Sequence, residues 1–304
     1  MITEHHYKKL TWIDVENPTQ EDIDLLIKNH DIHPRCAREL TIPTERAKVD
    51  MYEPNSLFIV LHYPDHPAHN THVQELEIDY VIKEHALITV HYKPIDTFIE
   101  FGKSLQVEDA LDRTTIGTTG GHLFFYINNL LYQGLSEELE MIRYDIKKIE
   151  SQIFSGSELK MVEEISSLQR KLLDFKQATR FHGSILKSFE NNSRKFFGKS
   201  FNVDEENIHH EYIKVQSTLE NERELLKELR DTNDSLLTSK NNDITKRFTM
   251  MAFFTFPLSL VAVVLLAPES PLVFHGRAGF WMVVGILVAL FLLMYGYFKH
   301  KKWL

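Results

Sequence analysis

The stretch FTMMAFFTFPLSLVAVVLLA, residues 248–267, contains no charged side chain. A second apolar stretch, AGFWMVVGILVALFLLMYGYF, covers residues 278–298. A helix of about 20 residues spans the ~30 Å hydrocarbon core of a bilayer, because each residue adds about 1.5 Å. The connection between the stretches, residues 268–277, is too short to form a domain. The sequence therefore predicts that residues 248–304 form two transmembrane helices and a basic C-terminal tail.

The distribution of positive charge predicts the orientation of this hairpin. Basic side chains lie before the first span and after the second, at Lys240, Lys246, Arg247, Lys299, Lys301 and Lys302. The connecting loop carries only Glu269, His275 and Arg277 as charged or titratable residues. Because positive residues stay on the cytoplasmic side, we expect both termini inside the plasma or inner membrane. The chain opens without an apolar leader, and its lone Cys36 fits a reducing compartment, so a cytosolic head is expected.

Composition narrows the possible functions. The formal net charge of −9 argues against nucleic acid as a partner, because binding phosphates needs a basic face. The sequence contains no metalloprotease, phosphate-loop or hydrolase motif, so an enzyme is not expected. We expect no resident cofactor; membrane lipid and further copies of the chain are the expected partners.

Residues 1–120 have the pattern of an α/β domain. Asn17 and Pro18 resemble a helix start, which predicts a helix over residues 21–29 with Asn17 as the N-cap. Short runs rich in β-branched and aromatic residues predict three strands, at 57–61, 78–82 and 87–90. The last two strands are close enough to pair through a turn at residues 83–85.

Residues 121–247 have the pattern of a stalk of long helices. Helices are predicted over 128–154, over about 158–190, and from Asp204 into the first span, since no proline or glycine separates Asp204 from Pro257. The third helix carries a heptad of apolar residues, Ile208, Tyr212, Val215, Leu219, Leu226, Leu229 and Leu236, interrupted by Glu222 and Asn233. Such a helix couples the head to the membrane. Two spans cannot enclose a water path, so any conducting form must be an oligomer.

A cluster of histidines lies between two predicted strands, at His62, His66, His69 and His72. With Asp65 these imidazoles have the chemistry to bind Zn²⁺ or Ni²⁺. Pro64 and Pro67 instead favour a polar loop without fixed ligand geometry. Both interpretations stay open, and the loop interpretation is the better supported.

The order of these segments resembles the CorA family of divalent cation transporters. The resemblance rests on Trp12-Ile13-Asp14, His33-Pro34, Arg46-Ala47-Lys48-Val49, Phe58-Ile59-Val60-Leu61, Leu87-Ile88-Thr89-Val90-His91, Asn242-Asp243, Phe248-Thr249, Phe256-Pro257-Leu258-Ser259 and the ending Lys301-Lys302-Trp303-Leu304. It implies a funnel-shaped homopentamer that carries mainly Mg²⁺, or Zn²⁺ in one branch of the family.

The resemblance also implies a pore lined by the first span of each subunit. By position the pore-lining residues are Asn242, Thr245, Phe248 (or Thr249), Ala252, Phe256, Ser259, Val263 and Leu266. Their spacing of three and four places them on one helix face. Asn242 and Ser259 would offer oxygens to a hydrated ion, and Phe248 and Phe256 would form apolar constrictions. Asp231 is either a ring of carboxylates below the membrane or part of a solvated helix face.

Two departures from the family pattern concern selectivity and regulation. The family's Gly-Met-Asn signature at the outer end of the first span is absent, and Leu266-Ala267-Pro268 stands in its place; Glu269 follows in the outer loop. Where the family carries a Glu-Asp pair of a regulatory metal site, this chain has Glu39-Leu40. We therefore expect a channel for divalent cations with altered selectivity. The alternative is a non-conducting pentameric scaffold whose head binds a cytosolic protein.

Overall fold

The computed structural model describes residues 1–44, 46–52, 56–65, 74–111, 116–198, 201, 205–266 and 276–301. The chain forms two compact units, Met1–Asp231 and Thr232–Leu304, and the long helix α7 contributes to both. The three-part division expected at residues 120 and 247 stays a prediction.

The first unit contains a mixed six-stranded sheet in the order β1-β2-β6-β5-β4-β3. All neighbouring strands are antiparallel except β2 and β6, which are parallel. The strands are β1 Ile2–Tyr7, β2 Leu10–Glu16, β3 Lys48–Tyr52, β4 Ser56–Asp65, β5 Gln74–Ile82 and β6 Ala86–His91. The three predicted strands correspond to β4, β5 and β6, and the predicted turn joins the last two, with the Lys83 amide donating to the Ala86 carbonyl.

Helices cover both faces of the sheet. They are α1 Gln20–His30, α2 Pro34–Glu39, α3 Asp96–Ala110, α4 Gly120–Phe154, α5 Glu158–Thr179, α6 His182–Phe196, α7 Glu205–Leu266 and α8 Gly276–His300. Ile23 and Leu26 of α1 and Cys36 of α2 are buried against one face of the sheet. On the other face Trp12 contacts Phe101 of α3, and Tyr80 meets Phe124 of α4 edge-on at 5.0 Å. The sheet is therefore buried on both sides.

The predicted N-cap of α1 was wrong by two residues. Asn17 lies in the left-handed region at φ 46°, and Thr19 is the N-cap. The Thr19 hydroxyl accepts a hydrogen bond from the Asp22 amide at 3.2 Å, and the Asp22 carboxylate accepts one from the Thr19 amide at 3.0 Å. This reciprocal pair satisfies two amides that the first helical turn leaves free. Asn17 instead turns the chain between β2 and α1.

The predicted helix over 158–190 is two helices, because α5 ends at Thr179 and α6 begins at His182. No proline lies at this break, and Gly183 is the second residue of α6. His182 is fully buried and is held on both ring nitrogens, by the Tyr132 hydroxyl at 2.8 Å and the His62 carbonyl at 2.7 Å. These tertiary hydrogen bonds fix His182 at the start of a new helix. The third predicted helix is confirmed as α7, which runs from Glu205 through Pro257 to Leu266.

The heptad residues of α7 from Ile208 to Leu229 belong to the first unit, and Leu236 belongs to the second. Val215, Leu219 and Leu226 are fully buried. On the flanks of this seam the Gln216 amide donates to Thr179 at 2.8 Å, and Lys176 pairs with Glu220 at 2.7 Å. The polar interruption predicted at Glu222 is also buried, 3.6 Å from Arg143 of α4. The predicted apolar stripe is therefore a packing seam against α4 and α5.

Candidate ion-conducting face

The second unit is built from the C-terminal part of α7 and from α8. Both contain segments long and apolar enough to cross a membrane, with a mean hydropathy of 2.2 in each. Aromatic rings join the two helices: Phe254 lies 5.4 Å from Phe291 and 5.3 Å from Phe298, between ring centroids. The two predicted spans are thus packed helices, as the sequence indicates.

The face of α7 that packs on α8 is narrow. Phe254, Leu258, Val261 and Leu265 are partly buried and recur every three or four residues. At about 100° per residue they lie within about 60° of one another around the helix axis. This face is occupied within one protomer and is not available to line a pore.

The predicted pore-lining residues lie on the opposite side of α7. Asn242, Thr245, Phe248, Ala252, Phe256, Ser259 and Val263 are all exposed in the protomer. Helical geometry places the centre of this stripe about 160° from the face that contacts α8. Phe256 is 73% exposed and Phe248 is 67% exposed, although both are large apolar side chains. The stripe is therefore free to meet other copies of the chain or an aqueous path.

Ser259 supplies a polar oxygen between two apolar positions of this stripe, Phe256 and Val263. Its hydroxyl donates to the Phe256 carbonyl at 2.9 Å. The donated proton is therefore used within the helix, and the oxygen lone pairs stay available to accept hydrogen bonds. Water molecules bound to a cation point their hydrogens outward, so such an oxygen suits a hydrated ion.

The remaining candidate residues fall into two groups. Asp231 is exposed on α7, at the end of the first unit, so the structure permits both interpretations of it. The side chain of Leu266 and all of Pro268 and Glu269 lie outside the described residues, so the outer mouth stays a prediction.

The described part of the histidine-rich segment is a β-strand. His62, Pro64 and Asp65 belong to β4, which corrects the loop expected there, because their backbones pair with β5. His66, His69 and His72 lie outside the described residues. Within the described part of the chain, His, Cys, Asp and Glu side chains form no group of three arranged to hold a metal ion.

Sequence reasoning missed a buried cluster that includes His62. His62 and Glu77 are less than a tenth exposed, and Asp79 is fully buried. The only signal was the alternation of Glu75, Glu77 and Asp79 along an otherwise apolar strand. Alternate strand residues share a face, so this pattern places carboxylates side by side.

Comparison with known proteins agrees with this architecture. A family model described as CorA-like Mg²⁺ transporter protein matches residues 7–300. The cobalt/magnesium transport protein CorA of Methanocaldococcus jannaschii is 21% identical over 300 residues, 97% of this chain and 92% of that protein. Its namesake from Thermotoga maritima is also 21% identical over 300 residues, 97% of this chain and 83% of that protein.

The solved structures give the same result for the fold. The complete structure of the CorA magnesium transporter from Methanocaldococcus jannaschii matches with a TM-score of 0.82 at 19% identity, covering 100% of this chain and 98% of that one. The matched proteins are transporters and not enzymes, in line with the absence of a catalytic motif. With a family match over almost its whole length and two apolar C-terminal helices, the chain is a membrane protein that belongs to the CorA-like Mg²⁺ transporter family.

Proposed function

We propose that this protein is a channel that passes divalent metal cations, Mg²⁺ or a transition metal such as Zn²⁺, down their electrochemical gradient. The pore is lined by the exposed face of α7 in a homopentamer, with both termini in the cytoplasm. The observation that carries the proposal is the arrangement of α7. The stripe from Asn242 to Val263 faces away from α8, so a ring of protomers can bring it together around an axis.

The chemistry of the stripe favours a hydrated ion. Mg²⁺ loses its water reluctantly, and hydroxyl and amide oxygens at Ser259 and Asn242 bond to a hydration shell without replacing it. Phe248 and Phe256 supply apolar constrictions that interrupt the water path when they close. Since Leu266-Ala267-Pro268 stands where the family carries Gly-Met-Asn, we propose that selectivity among divalent cations is altered.

Ion flux into liposomes that contain the purified protein tests this proposal. Uptake of Mg²⁺, Zn²⁺, Ni²⁺ and Co²⁺ is followed with dyes, with K⁺ and Cl⁻ as controls. Phe256→Ala removes a proposed constriction and is expected to raise divalent uptake severalfold. No flux of any ion, with or without Phe256→Ala, would contradict the proposal.

Two adjacent valines give a matched pair for the same assay. Val263 lies on the proposed pore face and is 69% exposed, whereas Val264 is 58% exposed and lies about 100° around the helix. Val263→Ser is expected to change the flux or the order of ion preference, and Val264→Ser is expected to change both much less. Equal effects of the two substitutions would count against a pore on this face.

The second candidate function is that of a non-conducting membrane scaffold. It is favoured by one observation, the absence of Gly-Met-Asn from the sequence. A scaffold should be indifferent to Val263→Ser and Phe256→Ala and should lose function when the surface of the first unit is altered. The flux assay therefore separates the two candidates.

A further inference from the structure

A short segment that follows α2 is held against the sheet by hydrogen bonds at Thr44. The Thr44 amide donates to both carboxylate oxygens of Glu77, each at 2.8 Å. The Thr44 carbonyl accepts a hydrogen bond from Nε2 of His62, also at 2.8 Å. Both backbone groups of one residue are thus held by buried titratable side chains. Thr44 is therefore held by side chains that can exchange protons.

The cluster contains a third titratable group. Asp79 lies two residues from Glu77 on the same face of β5 and accepts a hydrogen bond from the Tyr92 hydroxyl at 3.3 Å. Tyr92 also donates to the Leu40 carbonyl at 3.4 Å, which ties the start of the segment to the same network. We name His62, Glu77 and Asp79 the acid–histidine cluster.

The charges that face this cluster come from every element around it. A carboxylate oxygen of Glu77 lies 3.7 Å from His62 Nε2. The charge of Glu75, on the same strand as Glu77, raises the pKa of His62. The charge of Lys48 of β3 lowers the pKa of Asp79. Asp79 in turn raises the pKa of the Cys36 thiol of α2. On the other face of the sheet His182 donates to the His62 carbonyl, which fixes the backbone of His62 and leaves its side chain to respond.

These surroundings shift two groups in the same direction. Burial lowers the pKa of His62, but hydrogen bonds to Glu77 and Thr44 and the charges of Glu77 and Glu75 outweigh it, so the net pKa is raised. Burial first, and the charge of Glu77 second, hold the pKa of Asp79 well above its ordinary value. A raised pKa in the folded protein means that protons stabilise the fold, and this stabilisation is lost as the pH rises through the folded pKa.

A cavity of about 260 Å³ gives solvent access to the cluster. It is lined by Thr44, His62, Glu77 and Tyr92, together with Lys93. Lys93 is paired with Asp65 at 2.6 Å, so this cation is already engaged elsewhere. Protons can therefore exchange at His62 and Glu77 without unfolding of the sheet.

We propose that the acid–histidine cluster is a proton-dependent latch that holds residues 40–44 against the sheet at mildly acidic pH and releases them as the pH rises. With both ring nitrogens protonated, His62 offers positive charge to Glu77, whereas its Nε2–H can donate to the Thr44 carbonyl in either protonation state. When His62 loses one of these protons, the positive charge that faces Glu77 and Asp79 is lost. Opening the segment to water then costs less, because water solvates the carboxylates.

Hydrogen exchange on the full-length protein in lipid nanodiscs tests the latch. Protection of the amides of residues 40–44 is measured between pH 6 and pH 9 and corrected for the intrinsic pH dependence of exchange. We expect the opening equilibrium of this segment to rise at least about threefold with increasing pH in the native chain. Protection that does not change with pH would overturn the proposal.

Three variants locate the effect. His62→Gln keeps a side-chain donor but does not titrate, so the pH dependence at residues 40–44 should disappear. His91→Gln is the matched control, because His91 is also buried, pairs with Asp14 at 3.2 Å and has a raised pKa, yet does not touch Thr44. It should leave the pH dependence at residues 40–44 intact.

The third variant, Glu77→Gln, covers the case in which His62→Gln does not fold. It keeps a carbonyl acceptor for the Thr44 amide and removes the charge that faces His62. The midpoint of the exchange transition should move to lower pH, and an unchanged midpoint would overturn the proposal. None of these measurements involves ion flux, so they test the latch proposal independently of the channel proposal.

Discussion

The two units of the molecule differ in where their large apolar side chains lie. In the first unit rings such as Trp12, Phe124 and Tyr132 are fully buried. In the second unit Phe248, Phe256 and Leu293 are each more than 60% exposed in the protomer. The first unit therefore contains its own core, whereas much of the apolar surface of the second is left uncovered within the protomer.

The largest effect on stability is expected when one aromatic ring is removed from each unit in turn. Phe124 is fully buried and contacts Phe189 at 4.7 Å, so Phe124→Ala should destabilise the protein by about 3–5 kcal/mol. Phe248→Ala should change stability by less than about 0.5 kcal/mol, since this ring fills no core within the protomer. The midpoints of chemical unfolding in one detergent measure both effects. Equal destabilisation would mean that the second unit also has an internal core.

A slightly smaller loss of stability is expected when the pH is lowered. Burial lowers the pKa of His182 to about 4, while the unfolded chain binds this proton near pH 6.5. Between these two values the unfolded state holds more protons, so stability falls as the pH falls, by up to about 3 kcal/mol. This pH dependence of stability is opposite in sign to the one expected at His62, whose carbonyl accepts a hydrogen bond from His182.

The contribution of His182 is isolated by difference, because many carboxylates titrate over the same range. Urea unfolding of the native chain and of His182→Asn is compared at pH 7 and pH 4.5. The loss of stability on acidification should be smaller in the variant. An equal loss in both would show that His182 is already protonated in the folded protein or is not buried.

The success of sequence reasoning also differs between regions, for physical reasons. β4, β5 and β6 were predicted because each is a local apolar run. β1 and β3, with the sequences ITEHHY and KVDMY, are polar edge strands whose identity depends on pairing with distant residues. The break between α5 and α6 was missed because it depends on hydrogen bonds from His182 to residues 50 and 120 positions away.

The resemblance to the CorA family implied the candidate pore residues, and helix periodicity placed them on one face of the helix. The acid–histidine cluster was not predicted, because nothing local indicates that Glu77 and Asp79 are buried. The mouth at Leu266 and Glu269 stays a prediction. Positions that depend on helix periodicity were thus accessible from the sequence, and positions that depend on tertiary burial were not.

A more modest effect is expected at Ser259. Ser259→Ala removes an oxygen from the proposed path, so divalent flux should fall severalfold with little change in stability. Ser259→Thr keeps the hydroxyl and should retain most of the flux. Liposome uptake measures both variants, and equal flux in the alanine and threonine variants would exclude a role for this oxygen.

The smallest effect concerns the two residues that compete for the start of α1. Thr19→Ala removes a side-chain acceptor from the Asp22 amide and should cost about 1 kcal/mol. Asn17→Gly should cost nothing or stabilise the protein slightly, because glycine adopts the left-handed conformation at φ 46° without strain. Thermal unfolding of the two variants ranks them directly. A greater loss from Asn17→Gly than from Thr19→Ala would restore Asn17 as the residue that caps the helix, and would place the first turn of α1 two residues earlier.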